Sequence, residues 1–429
     1  MLNKRTWVAI LILGFLGQLA WGVENQFFNT YIFDEITPNP QPIAWMTAAS
    51  AITATLASIF MGALSDRIRW RWGRKPFLLI GYLCWGVATA LFPTSAFFTT
   101  ISTMVFMAIL FDCIMTFFGS TANDSVFHAY VADITTVENR GKVMGVLEIL
   151  TWVALLVVYG GAPILIEAKG YPFFFYLLGG LVFVLSLVAN LLLKEPPLPK
   201  APPTKSYLAQ IADTFHWSTL RKQGDFFFLL IAIMLWGIAQ QIFFPYLMTY
   251  INHSKGIDPN TDAGLVIFFA ILIGGIATAY PLGLLIDRWG RKIVALIAIV
   301  GEMIGLIAFS FANNTITLIL AGILWLWPIS AWTIAIGAWT KDLFPEDKRG
   351  QFGGYVILFS VALTMTIGPM VGSRLITTFG IYEMIEGQMG YIPIPLIFQV
   401  AGFATLLAAI PLLLIRKKKP GIDRKLQEN

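Results

Sequence analysis

The chain has little charge, almost no cysteine and few histidines. Of its 429 residues 12% are Asp, Glu, Lys or Arg, against about 25% in a soluble domain. By contrast 57% are hydrophobic, and the mean hydropathy is +0.74. A soluble chain of that composition would have mostly apolar surface to show water, so an integral membrane protein is the class that remains. Two cysteines, Cys84 and Cys113, each inside an apolar run, exclude a disulfide framework and a thiolate zinc site. His128, His216 and His253 are widely separated, with no metal-ligand pair among them. No G-x-x-x-x-G-K-[ST] phosphate loop and no G-x-S-x-G nucleophile turn occurs, which argues against an ATP-driven pump and a membrane-embedded hydrolase. No cofactor or metal is therefore expected. The net charge of +5 suggests no nucleic-acid partner, because topology accounts for the basic residues.

What is present is a series of long apolar runs. A bilayer core about 30 Å thick needs ~20 mostly apolar residues per helix. Twelve stretches qualify, at about 7–31, 43–64, 76–95, 98–130, 143–166, 172–193, 225–251, 263–286, 293–312, 315–340, 351–378 and 391–415. The first follows Lys4 and Arg5 like a secretory signal, but it runs well past a signal core and is expected to stay uncleaved. Twelve spans sort the basic residues almost completely: 26 of the 29 Lys and Arg fall on one side, the exceptions being Lys169, Lys255 and Arg374. That bias predicts both termini and the central linker to be cytoplasmic, in a multi-pass protein of the plasma (inner) membrane.

The chain also reads as two copies of one design. Residues 1–193 and 225–429 hold six spans each, joined by a cytoplasmic linker at 194–224. The linker opens Lys-Glu-Pro-Pro-Leu-Pro-Lys-Ala-Pro-Pro, a stiff, extended start. Its stretch 207–220 is mildly amphipathic and suits either the membrane surface or an ordinary solvated helix. After span two comes Gly62-Ala-Leu-Ser-Asp66-Arg67, then Gly73-Arg74-Lys75; after span eight comes Gly283-Leu-Leu-Ile-Asp287-Arg288-Trp-Gly290-Arg291-Lys292. Ala132-Asp133 through Arg140-Gly141 after span four matches Lys341-Asp342 through Arg349-Gly350 after span ten. Internal repeats across twelve helices point to alternating access, with the substrate between the halves near mid-bilayer.

These loops carry a family resemblance. Gly283-x-x-x-Asp287-Arg288-x-Gly290-Arg291-Lys292 resembles the signature loop of the major facilitator superfamily, over essentially the whole chain. The lengthened first copy, Ser65-Asp66-Arg67 through Trp72-Gly73-Arg74-Lys75-Pro76-Phe77, is similar to the glycoside–cation symporters and related sucrose transporters. The resemblance implies an all-α fold of two pseudo-symmetric six-helix bundles, working as a monomer. It implies that Asp66, Arg67, Gly73, Arg74, Asp287, Arg288, Gly290 and Arg291 belong to gating loops that latch the cytoplasmic side in the outward-open state. Asp133, Arg140, Asp342 and Arg349 are the facing groups. The alternative is that the arginines merely set topology, which leaves the two matched aspartates unexplained.

Ionisable groups at bilayer depth are costly, and so mark candidate sites. Span four carries Asp112, Asn123, Asp124 and His128. Asp112 and Asn123 differ by eleven residues, roughly 20° on an ideal helix, so they share a face, with Thr116 and Ser120 near it. Span one carries Glu24, Asn25 and Gln26, with Glu24 the best proton or cation carrier; Glu148 and Trp152 on span five are further candidates. Span seven offers Gln240 and Gln241. Span ten offers Trp332 on a stripe with Trp325 and Trp339, which presents aromatic faces to an amphipathic ligand or simply packs. Interhelical pairing is the competing reading for the span-four acids, and for Glu302 packing or pairing is favoured. Arg374 has two options, Glu24 or the aqueous boundary. Spans one, four and seven are polar enough to favour a hydrogen-bonding cargo, a sugar or glycoside, in symport with a cation. A proton is preferred to sodium, since span two carries no acid before Asp66. The rival is a proton-coupled exporter of amphipathic drugs or lysolipids.

Overall fold

The computed structural model describes residues 3–195, 207, 223–257, 266, 268–271, 273–274, 288–343, 354–385 and 387–415. Lipid offers no partner to an unpaired backbone group, so the apolar runs can cross it only as helices. Among the described residues, ten helices are long and apolar enough to do so. Span one is Lys4–Ile36, span two Pro40–Trp72, span three Lys75–Phe97 and span four Ile101–Ile134. Spans five and six are one helical stretch, Val137–Leu192, broken at Gly170 (φ 79°, ψ 166°) just before Pro172. Span seven is Gly224–Ser254. Of span eight, residues 266, 268–271, 273 and 274 are described, and all are helical. Spans nine to twelve are Arg291–Phe311, Thr315–Thr340, Gly354–Phe379 and Leu396–Leu414.

Caps fix several starts. Asn39 accepts from Gln41 N at 2.9 Å ahead of Pro40, and Thr100 accepts from Thr103 N at the head of span four. The basic residues after span two are not on a loop as expected: the helix continues to Trp72, and Arg69 and Arg71 occupy its last turn, where cations suit the negative end of the helix dipole. A second departure is a two-stranded hairpin, Ile381–Ile385 with Gln388–Ile392. Its second strand takes Tyr391 and Ile392 from the expected start of span twelve, which begins instead at Leu396.

Spans one, four, seven and eleven depart from the ideal helix. Wider π-helical turns occur at Glu24–Phe28, Ile32–Ile36, Ser120–Phe127, Tyr250–Ser254 and Leu358–Ala362. Such turns cluster at functional sites. The first holds Glu24, Asn25 and Gln26, and the third Asn123 and Asp124.

The halves meet through several pairs of spans among the described residues. Span two packs on span eleven, Tyr159 of span five stacks on Phe268 of span eight at 6.1 Å, and span one meets span seven. Every hydrogen bond between the halves among the described residues lies away from the arginine-rich side. Gln26 Nε2 donates to Phe244 O at 3.1 Å, and Tyr246 OH reaches Pro40 O at 3.4 Å. His253 Nε2 stands 3.4 Å from Asp34 Oδ1. The hairpin closes the seam with Tyr391 N donating to Pro38 O at 3.0 Å. This is a conformation shut at the end remote from the arginines.

Candidate functional site

A small cavity sits where spans one, two and four face spans seven and eleven. Glu24, Asn25, Asn29, Met46, Thr47, Ser50 and Asp112 line it from one half, and Gln241, Phe244, Pro245 and Met365 close it from the other. Its volume is about 20 Å³, room for about one water. A solute enters only if the halves move apart.

Three oxygens form a triangle at its edge. Glu24 Oε1 is 2.9 Å from Ser50 Oγ and 3.1 Å from Thr116 Oγ1, and the two hydroxyls are 2.7 Å apart. Each contact needs one hydrogen, and the two hydroxyls supply two between them. With Glu24 ionised, one contact is oxygen against oxygen with no proton. With Glu24 carrying a proton, Glu24 donates to one hydroxyl, that hydroxyl to the other, and the last back to the carboxyl. The opposite oxygen, Glu24 Oε2, and Asp112 Oδ1 are buried with no hydrogen-bond partner, and Asp112 is 1% exposed. Asn25 Nδ2 donates to Trp21 O at 2.7 Å and Asn29 Nδ2 to Asn25 O at 2.9 Å, satisfying carbonyls around the wide turn.

Asn123 and Asp124 lie elsewhere. Eleven residues of helix separate Asp112 from Asn123 by about 16 Å along the axis, and the π-helical turn from Ser120 changes their direction. Sharing a face therefore does not make them share a site. Asn123 Oδ1 accepts from Tyr82 OH at 2.9 Å, and its Nδ2 donates to Asp124 Oδ1 at 3.1 Å. Trp21 Nε1 donates to the same oxygen at 3.1 Å. Asp124 and His128 are exposed towards the arginine-rich side, as is Glu148, and Trp152 is half-buried.

In the second half, Gln240 turns away from the cavity that its neighbour Gln241 lines. Gln240 Nε2 donates to Glu302 Oε1, and Trp236 Nε1 donates to Glu302 Oε2 at 2.8 Å. Trp332 stacks on Trp236 at 5.0 Å and 16°, while Trp325 packs against Phe243 and Phe309. The tryptophan stripe of span ten is core here. Arg374 is exposed, and among the described residues it makes no ion pair with Glu24, which meets Ser50 and Thr116.

The residues of the repeated loops form networks inside each half. Arg74 donates from Nε to Asp133 Oδ2 at 2.6 Å, from Nη2 to Asp66 Oδ1 at 2.7 Å, and from Nη1 to Ser65 Oγ at 3.1 Å. Arg69 adds an ion pair to Asp133 at 2.9 Å. Burial alone would lower the pKa of the Arg74 guanidinium, but Asp133 and Asp66 outweigh it and hold the group above its ordinary value. Among the described residues Asp66 pairs with Arg74 of its own half. Gly73 ends span two at φ +70°, and Gly290 precedes span nine at φ +82°, the same left-handed turn in both copies. Glu195 caps span three by accepting from Arg74 N at 2.7 Å and Lys75 N at 3.1 Å. Nothing in its sequence context marks that role. Arg291 pairs with Asp342; Arg288 is exposed. Arg67 lies on the span-two helix and Arg140 on the helix from Val137. Asp287, Arg349, most of the linker and the basic tail lie outside the described residues. Ser50 was missed in the sequence because a lone serine in an apolar span carries no periodic signal.

Helical bundles in two facing groups, meeting around an acid-lined cavity, define the class of alternating-access membrane transporters. The chain belongs to the Major Facilitator Superfamily, whose pattern it matches over residues 10–280 and 259–429, and it is a multi-pass membrane transporter of that family. It is 23% identical over 388 residues to a Bacillus subtilis (strain 168) protein provisionally named a niacin/nicotinamide transporter, covering 89% of this chain and 88% of that one. Its fold is similar to the crystal structure of the nucleoside transporter NupG, with TM-score 0.73, 15% identity, and coverage of 97% of this chain and 100% of that chain. It also resembles a D-xylose-proton symporter, with TM-score 0.69, 16% identity, and coverage of 96% and 99%.

Proposed function

We propose that the protein is a proton-coupled symporter of a sugar or glycoside, in the glycoside–cation symporter and sucrose transporter branch. Its arginine-rich side, both termini and the linker at 194–224 face the cytoplasm of a cell bounded by the plasma membrane, and bundles 1–193 and 225–429 rock about the cavity as a monomer. The observation that carries this reading is the Glu24, Ser50 and Thr116 triangle, whose three contacts are all satisfied only when the carboxyl holds a proton. Asp112, on the same cavity with an unpartnered oxygen, is the second acid through which a proton leaves once the halves part. Asn25, Asn29 and Gln241 supply amide donors and acceptors to hydroxyls, and Phe244 and Met365 an apolar face. Span two carries no acid before Asp66, which favours a proton over a sodium ion.

Purified protein in proteoliposomes tests this. An inside-alkaline pH gradient is expected to drive accumulation of labelled sugars from a panel including D-xylose and sucrose, and Asp112→Asn to abolish it. If only amphipathic drugs move, and outward against the gradient, the chain is an exporter and the sugar reading is wrong. If a sodium gradient drives uptake with no pH gradient, the proton assignment is wrong.

A further inference from the structure

Glu302 is the one buried acid in the described part of the second half that the cavity does not use. It lies mid-way along span nine at 0% exposure, and no residue of span nine lines the cavity. Both of its oxygens are taken by donors from one face of span seven: Trp236 Nε1 at 2.8 Å and Gln240 Nε2. Trp236 in turn lies flat against Trp332 of span ten. One carboxyl thus ties spans seven, nine and ten together, at the residue directly before Gln241. Span seven needs such a tie, because its helix gives way to a tight 3-10 turn at Phe244–Tyr246 around Pro245, and the regular ladder does not hold this stretch in register from beyond. A side chain fit for this place must accept on two sides. A carboxyl does so in either protonation state, whereas an apolar residue leaves two buried N–H groups unpaired.

We propose that Glu302 is a positioning residue. It sets the rotation of span seven so that Gln240 and Trp236 face span nine and Gln241 faces the cavity; it carries no proton through the cycle. The inference rests on the reading that this cavity is the transport site, but its labelling test needs no cargo. In a Cys84→Ala, Cys113→Ala background, Gln241→Cys is labelled with a small water-soluble methanethiosulfonate, and Asn25→Cys on span one serves as the reference. Glu302→Leu is expected to slow labelling at position 241 about tenfold while leaving position 25 unchanged, because the unpaired N–H groups drive span seven to turn. Glu302→Gln is expected to restore the rate to within about threefold, since its amide oxygen accepts from Trp236 and Gln240 can flip to accept from its NH₂. Should Glu302→Leu not fold, Gln240→Leu removes one of the two contacts from the other side and is expected to slow labelling in the same direction by about threefold. Unchanged labelling at 241 in both leucine variants would overturn the assignment, as would equal slowing at 25 and 241. So would loss of gradient-driven uptake in Glu302→Gln, the mark of a proton carrier. Failure of Asp112→Asn to affect transport strikes the function proposal and leaves this labelling result standing.

Discussion

Two buried carboxyls, one in each half, show how surroundings assign different work to one functional group. Glu24 meets hydroxyls, which donate and accept, and its other oxygen opens on a water-sized cavity shared with Asp112. Glu302 meets two N–H donors, which cannot accept, and does not line that cavity. A proton on Glu24 completes a ring of hydrogen bonds; a proton on Glu302 adds nothing its donors can accept. Both are buried, so burial alone does not explain the difference. The hydrogen-bonding capacity of the neighbours does.

The sharpest way to break this comparison is to neutralise both acids with minimal change of shape. Glu24→Gln and Asp112→Asn are expected to lower pH-gradient-driven accumulation by about a hundredfold or more, within the range for removing a general acid or base. Glu302→Gln should lower it less than about threefold, matching its amide's capacity to keep both contacts. Equal losses in initial uptake rates for the Glu24 and Glu302 variants would erase the distinction. Next in size is the hydroxyl ring. Ser50→Ala and Thr116→Ala each take one hydroxyl out of the ring, and with it two of its three contacts. With hydrogen bonds worth about 1 kcal/mol apiece, initial uptake rates should fall by about tenfold in each; unchanged rates in both would count against the ring. Smallest is the contrast between the repeated turns. Gly73→Ala combines a left-handed backbone with a clash against the Glu195 carboxylate, whereas at Gly290 the added methyl meets open space. A left-handed residue with a Cβ costs about 1–2 kcal/mol. Gly73→Ala should therefore lower the detergent-solubilised melting temperature more than Gly290→Ala. Reversal of that order would say that the Glu195 carboxylate does not crowd the first turn.

Much of the architecture is legible in the sequence for a simple reason. A backbone in lipid has no solvent to bond, so every long apolar run is forced into a helix, and the arginine clusters mark one side. The repeat is legible because Gly73 and Gly290 both need a left-handed turn. The helix faces are not. The count that places Asp112 and Asn123 on one stripe assumes 100° per residue, and the π-helical turns at Glu24–Phe28 and Ser120–Phe127 break that count where the polar residues lie. Nor does the sequence say which way Gln240 and Gln241 face, since two adjacent amides in an apolar run are equivalent until a partner such as Glu302 chooses between them. Trp332 likewise goes to Trp236, and the hairpin at Ile381–Ile392 takes residues that an apolar run alone assigns to span twelve.

The sequence by itself determined the family, the helical spans and the asymmetry of charge, because these depend on the solvent each segment meets and on local turn chemistry. Tertiary structure alone decided which acid meets hydroxyls and which meets N–H groups, and which amide reaches the cavity. Those outcomes depend on partners dozens of residues distant, brought together when helices settle at particular rotations, and rotation is a property of packing between helices rather than of any one of them.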